Sequence, residues 1–342
     1  MRPTFSFANN YTKITTLDMH TGGEPLRIIL EGFPAFENKS VLEIRNELRE
    51  KYDYLRKAIM WEPRGHADMY GLLKVPPQRP DSDFGVIFMH NAGYSTMCGH
   101  GTIAIAKAAV ELNWVKSTPP LTTIRIDAPC GQLTAFVKHN DQGIESISFE
   151  NVPSFFVDTF AIELPAIGLV EYDLAYGGAF YAYLNIDQLG LICQPENYGE
   201  IIRLGRLIKK QIMDSNEKIT HPFEQDLSFL YGTIFIDQAN EASNHSRNVC
   251  VFADGEVDRC ATGSGVSGRA AIHYAKKELA AKQTINIESI IGTTLAVSVQ
   301  REVEYGAFNA VIPLVSGNAY FTGYQEFWID PNDPLKDGFF IR

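Results

Sequence analysis

The chain has 342 residues, with 45% hydrophobic and 21% charged residues, which excludes a disordered or fibrous polymer and leaves room for two packed domains. Thirty Lys and Arg stand against 41 Asp and Glu, a net charge of -11 without a basic stripe, so nucleic acid and anionic membrane surfaces are excluded as partners. No run of about 18 uncharged apolar residues is present to span a bilayer.

In chain order, residues 14–17 and 26–30 read as strands flanking His20-Thr21-Gly22-Gly23-Glu24-Pro25. Residues 42–59 carry apolar side chains at helical spacing and predict one helix. A short apolar strand is expected at 84–90, before Asn91-Ala92-Gly93-Tyr94-Ser95-Thr96-Met97-Cys98-Gly99-His100-Gly101. The helix that follows, 102–112, is apolar nearly all round, as a central buried helix would be. Short strands are expected at 122–127, 133–138, 144–151 and 154–156, then an amphipathic helix at 200–213. Strands at 230–236 and 248–252 lead to Asp258-Arg259-Cys260-Ala261-Thr262-Gly263-Ser264-Gly265 and a helix at 266–279. Strands at 294–304 and 308–314 close the pattern.

The opening residues Met1-Arg2-Pro3-Thr4-Phe5-Ser6 lack the apolar core of a secretory signal. Five scattered cysteines, Cys98, Cys130, Cys193, Cys250 and Cys260, suit free thiols in a reducing compartment, and a cytoplasmic location is the expectation.

Cys98-Gly99-His100-Gly101 and Thr262-Gly263-Ser264-Gly265 each place a thiol or hydroxyl, then Gly-x-Gly, before a small-residue helix. Such a repeat is what two similar domains would show, each offering one helix start to a shared cleft. Free N–H groups at a helix N-terminus bind anions, and glycines let a ligand reach the backbone. Two facing starts would cradle a small carboxylate or, equally well, a phosphate. Neither turn matches a phosphate-loop or dinucleotide pattern.

A helix start lowers a thiol pKa, so Cys98 is a candidate nucleophile or proton-abstracting base, against the plain reading of a small buried hydrophobe. His100 is either a site residue or a turn-pinning one. Asp258 either holds a substrate ammonium or caps the turn. His20 and His66 line the cleft or pin loops. Cys260 is a second thiol close in sequence to the site, but the repeat pairs Cys98 with Thr262. With no His-Glu-x-x-His and no Cys-x-x-Cys, no metal is expected.

On Asp18-Met19-His20-Thr21-Gly22-Gly23-Glu24-Pro25, Pro63-Arg64-Gly65-His66, Met97-Cys98-Gly99-His100-Gly101-Thr102, Tyr176-Gly177-Gly178-Ala179-Phe180-Tyr181, Asp258-Arg259-x-x-Thr262-Gly263-x-Gly265 and Asp330-Pro331-Asn332-Asp333-Pro334, the chain resembles the proline racemase family. The resemblance covers almost the whole chain. It implies an α+β, diaminopimelate-epimerase-like fold of two similar domains, each wrapping strands around a central helix, with the active site between them. The first domain would span 1–135, completed by 323–342, and the second 136–322.

The resemblance also implies a cofactor-independent enzyme on a small imino acid, acting as a monomer or homodimer. Racemases and epimerases of the family use one cysteine from each domain. Here the first is present as Cys98 and the second position holds Thr262. A threonine hydroxyl is too weak an acid or base for two-base inversion near neutral pH. Cysteine followed by threonine resembles the family's trans-3-hydroxy-L-proline dehydratases, which remove the α-proton and then the 3-hydroxyl. The implied roles are Cys98 as the base, Gly99 and His100 as substrate contacts, and Asp258 as the ammonium partner. Gly263 and Ser264 would offer N–H donors to the carboxylate, and Thr262 would stand opposite Cys98. One departure is Cys260-Ala261, where the family commonly has Ser-Pro. Racemase or epimerase chemistry, or a non-catalytic amino-acid-binding protein, are the alternatives.

Overall fold

The computed structural model describes residues 10–215 and 219–341. The opening residues on which the leader expectation rests lie outside the described residues. Among the described residues are eighteen strands and five α-helices.

The first half begins with β1 (Thr12–Thr21), β2 (Glu24–Glu31), α1 (Val41–Lys51), α2 (Asp53–Met60), β3 (Tyr70–Val75), β4 (Phe84–His90) and β5 (Gly93–Ser95). It continues with α3 (Gly99–Glu111), β6 (Leu121–Ala128), β7 (Gly131–Asn140) and β8 (Gly143–Glu150). The second begins with β9 (Phe155–Leu164), β10 (Gly168–Tyr176), β11 (Phe180–Asn185), α4 (Tyr198–Asp214), β12 (Leu230–Asp237), β13 (Ser246–Phe252) and β14 (Glu256–Val257). It ends with α5 (Gly263–Ala275), β15 (Thr284–Glu288), β16 (Thr294–Tyr305) and β17 (Phe308–Gly317). A last strand, β18 (Ala319–Ile329), returns to pair antiparallel with β1.

The pairings of the two halves repeat. β2 and β3 pair in parallel, as do β11 and β12. β4 pairs antiparallel with β5 and in parallel with β6, and β13 pairs likewise with β14 and β15. β8 joins the halves by pairing antiparallel with β17. These parallel pairs need crossovers, and α1–α2, α3, α4 and α5 supply them.

The strands of each half curl around one helix, those of the first around α3 and those of the second around α5. In α3 every residue but Lys107 and Glu111 is buried, and α5 is buried from Gly263 to Ile272. Their alanine and glycine content is what permits strands to close around them. The amphipathic helices cover the outside. Ile44, Leu48, Leu55 and Ile59 of α1 and α2 form a core with Ile29, Ile87 and Met89. On the other half, α4 buries Ile201, Leu204, Ile208 and Ile212. This is the expected α+β, diaminopimelate-epimerase-like architecture.

Three details differ from expectation. The single helix expected over 42–59 is broken at Tyr52 (φ -126°, ψ 14°), which ends α1 and begins α2. The break turns α2 so that Arg56 donates to the His90 carbonyl at 2.8 Å. Helices α3 and α5 both start three residues earlier than their apolar periodicity, because their first turns are Gly-x-Gly. The expected division between residues 135 and 136 falls inside β7, which pairs along its length with β6 and β8.

Candidate active site

Cys98 is the N-cap of α3 and Thr262 that of α5. The two helix starts meet head to head. A Cβ built on Gly99 would lie 2.5 Å from the Gly263 Cα, and one built on Gly263 would lie 2.5 Å from the Gly99 Cα. Only glycine at both positions permits this approach. Both positive helix ends therefore point at one place, where the first-turn N–H groups lack intrahelical acceptors. That is unfavourable for an empty site and favourable for one holding an anion.

A narrow cavity sits at this junction. The first half lines it with Tyr70, Met97, Cys98, Gly99 and His100. The second half adds Tyr181, Tyr231, Phe252, Asp258, Thr262, Gly263 and Ser264. The seven residues to which the family resemblance gives site roles, Cys98, Gly99, His100, Asp258, Thr262, Gly263 and Ser264, all line the cavity, whereas His20, His66 and Cys260 do not. Tyr70, Tyr181, Tyr231 and Phe252 carried no sequence signal for a site, although Tyr181 lies in one of the quoted motifs.

The Cys98 Sγ accepts the Gly101 N–H at 3.2 Å and lies 3.2 Å from the His100 Nδ1. Burial pushes the Cys98 thiol well above its ordinary pKa, against the Gly101 N–H, which lowers it. This corrects the expectation that the helix start alone lowers it: desolvation by burial outweighs the Gly101 N–H. Burial, reinforced by the Arg259 charge, lowers His100 to about 3, so its ring is neutral beside the thiol. The Thr21 hydroxyl holds the His100 carbonyl at 2.9 Å, and the Tyr70 ring packs edge-on against the imidazole at 4.8 Å.

Across the cavity, Thr262 has φ +66°, a left-handed backbone that costs a β-branched residue about 1–3 kcal/mol. Its buried hydroxyl lies beside the Asp258 carboxylate and the Cys250 thiol. The Ser264 hydroxyl is 2.8 Å from the Tyr181 hydroxyl. Asp258 accepts the Cys260 N–H at 2.8 Å, and burial raises its pKa. It is both a turn-pinning group and a wall of the cavity.

Cys260 is buried behind this wall, its Sγ accepting the Thr262 N–H at 3.3 Å, and burial raises its pKa well above the usual thiol value. His20 and His66 pin loops. The His20 Nδ1 accepts the Gly23 N–H at 3.2 Å, and the exposed His66 contacts the Ala67 carbonyl at 2.7 Å. Among the described residues, His100, Asp258 and Cys260 have ligand atoms within 4.8 Å of one another, a spacing compatible with an ion.

Behind Asp258 an ion-pair cluster ties the halves together. Arg259 donates its backbone N–H to Glu24 at 2.8 Å, and its guanidinium pairs with Glu24 at 3.1 Å and with Asp68 at 3.5 Å. Asp68 also accepts from the Val257 N–H and, at 2.6 Å, from the Tyr198 hydroxyl. Burial and the nearby Asp258 charge push the Glu24 carboxyl well above its usual range. None of this cluster was evident from the sequence, its partners standing 130 to 235 residues apart.

The proline racemase family model matches residues 16–340. This chain belongs to the proline racemase family. It is 48% identical over 334 residues to a trans-3-hydroxy-L-proline dehydratase of Colwellia psychrerythraea, covering 97% of this chain and 94% of that one. It is 43% identical over 330 residues to a 3-hydroxyproline 2-epimerase of Burkholderia multivorans, covering 96% and 98%. Its fold matches a solved hydroxyproline epimerase from Agrobacterium vitis with bound trans-4-hydroxy-L-proline. That match has a TM-score of 0.89 at 26% identity and covers 96% of both chains. No helix among the described residues is long and apolar enough to cross a membrane.

Proposed function

We propose that this protein is a cofactor-independent hydro-lyase that converts trans-3-hydroxy-L-proline to 1-pyrroline-2-carboxylate and water. The observation that carries this reading is a single thiol, Cys98, on one helix start facing a threonine, Thr262, on the other. Relatives 40–48% identical over nearly the whole chain that are named as this dehydratase support it.

In this reading the substrate carboxylate takes the N–H groups of Gly263 and Ser264 at the positive end of α5. Its ring ammonium lies against Asp258 and the neutral His100. The ammonium brings a positive charge into the cavity, which offsets the desolvation that keeps Cys98 protonated. Cys98 enters the reaction as the thiolate and takes the α-proton. Gly99, His100, Gly263 and Ser264 supply fixed donors and dipoles that stabilise the charge developing on the carboxylate. The carbanion expels the 3-hydroxyl, and the enamine tautomerises to the cyclic imine. One base suffices, so threonine at position 262 is compatible with elimination and incompatible with inversion.

The five free, buried cysteines support a cytoplasmic protein. We further place the first domain at β1–β8 with β18 and the second at β9–β17, a division near residue 150 that follows the repeated pairings.

The test is proton NMR in deuterated buffer with trans-3-hydroxy-L-proline, L-proline and trans-4-hydroxy-L-proline in parallel, each repeated with Cys98→Ser. Loss of the 3-hydroxy substrate to the imine, with the other two unchanged in configuration, is the expected result. Inversion of proline or 4-hydroxyproline with deuterium at Cα would replace this reading with an epimerase. Binding without any turnover would replace it with an amino-acid-binding protein.

A further inference from the structure

The reaction proposed above has a stereochemical consequence for the site, and the inference here rests on that reading. In trans-3-hydroxy-L-proline the hydroxyl lies on the ring face opposite the carboxylate. The α-hydrogen lies on that same face. The base that removes the α-proton and the hydroxyl that departs therefore share one side of the ring. With Cys98 as the only thiol lining the cavity, that is the Cys98 side, and Thr262 faces the other.

Hydroxide is a poor leaving group and needs a proton as the C3–O bond breaks. Tyr231 and Thr262 are both buried and both line the cavity, the Tyr231 hydroxyl beside those of Tyr70 and Ser95 and the Thr262 hydroxyl beside Asp258. The Tyr231 ring is held by stacking on Phe252 at 5.5 Å and by edge contacts to Tyr181 and His90 at 5.7 and 6.0 Å. Its hydroxyl neighbours Cys98 and the Tyr70–Ser95 hydroxyl pair, so it belongs to the thiol side. We propose that Tyr231 is the general acid of the elimination, giving its phenolic proton to the departing 3-hydroxyl on the Cys98 face.

Atoms balance without a co-reactant. The Cα–H bond breaks and its proton goes to the Cys98 thiolate. The freed pair forms the C2–C3 double bond as the C3–O bond breaks. Hydroxide takes the Tyr231 proton and leaves as water. The phenolate then recovers a proton from the Cys98 thiol, with the Tyr70 hydroxyl a neighbour of both groups. The cycle ends with thiolate and phenol restored. Burial raises the Tyr231 pKa well above its ordinary value, so the phenol carries its proton when substrate arrives.

The experiment compares wild type, Tyr231→Phe and Thr262→Val. It follows α-hydrogen exchange and dehydration of trans-3-hydroxy-L-proline in deuterated buffer, and chloride release from trans-3-chloro-L-proline, whose leaving group needs no proton. Phenylalanine keeps the ring contacts to Phe252, Tyr181 and His90, and Tyr70 and Ser95 keep each other as partners, so Tyr231→Phe is expected to fold. Its dehydration should fall about 100-fold or more. Its α-exchange and chloride release should stay near wild type, while Thr262→Val shows no such split. Equal loss of all three rates in Tyr231→Phe overturns the proposal, as does a split appearing in Thr262→Val instead. A wild-type protein inert towards the 3-hydroxy substrate overturns the dehydratase reading itself, and this inference with it.

Discussion

Gly99 and Gly263 touch backbone to backbone, and that contact holds the two halves of the site in register. A methyl group on either would lie 2.5 Å from the other's Cα. Neither neighbour is a flexible side-chain end, so the helices themselves would have to separate.

Gly99→Ala should therefore destabilise the protein by about 1–3 kcal/mol and widen the cavity. Urea denaturation and the KM for substrate measure the two effects together. A variant with wild-type stability and KM would mean that the helix starts are not held this close.

Cys98→Ser keeps the cap position but replaces a thiol by a hydroxyl that does not ionise in the working range. Dehydration and α-hydrogen exchange should both fall about 1,000-fold or more, with the melting temperature nearly unchanged. Retained exchange in this variant would assign the base elsewhere.

Thr262→Cys restores a thiol at the second helix start. The expected gain is slow α-epimerisation of proline or 4-hydroxyproline, read by chiral chromatography. Thr262→Gly relieves a φ of +66° and should raise stability by about 1 kcal/mol. If glycine there lowers stability, the strain assigned to Thr262 is absent in solution.

Arg259 is the cation shared by Glu24 and Asp68 across the halves. Arg259→Met leaves two buried carboxylates without it and should cost about 3–5 kcal/mol. The loss should exceed that from Glu24→Gln, since Gln carries no stranded charge. Equal losses in denaturant titrations would contradict this account.

His100 has its folded pKa lowered to about 3, from an ordinary value of 6.5, chiefly by burial. Between these values the unfolded chain binds a proton that the folded protein does not. The contribution of neutral His100 is thus complete above pH 6.5 and is lost as pH falls towards 3, at about 1.4 kcal/mol per pH unit. The stability difference between wild type and His100→Asn should follow that slope from pH 6.5 to 5. A flat difference over this interval would mean that His100 titrates normally.

Much of this molecule is local in origin. Apolar runs and small-residue helix starts marked β4, β12, α3 and α5, and the repeated Gly-x-Gly marked the two helix starts that meet. β3, β10, β11, β15 and β18 were not evident, because a strand's membership depends on a partner tens to hundreds of residues away. The pairing of β18 with β1 joins residues about 300 apart, from Thr12 with Ile329 to Thr21 with Ala319.

Residue chemistry and spacing, with the family resemblance, determined by themselves the thiol at Cys98, the threonine at position 262 and the acid at Asp258. Only the tertiary structure decided what surrounds them. It placed Tyr70 and Tyr231 beside the thiol, buried Cys260 behind the wall, and paired Arg259 with Glu24 and Asp68. It also reversed the expected shift of the Cys98 pKa. The reason is physical: a helix start acts through its own first turn and can be read locally, whereas desolvation is the sum of every element packed around a group.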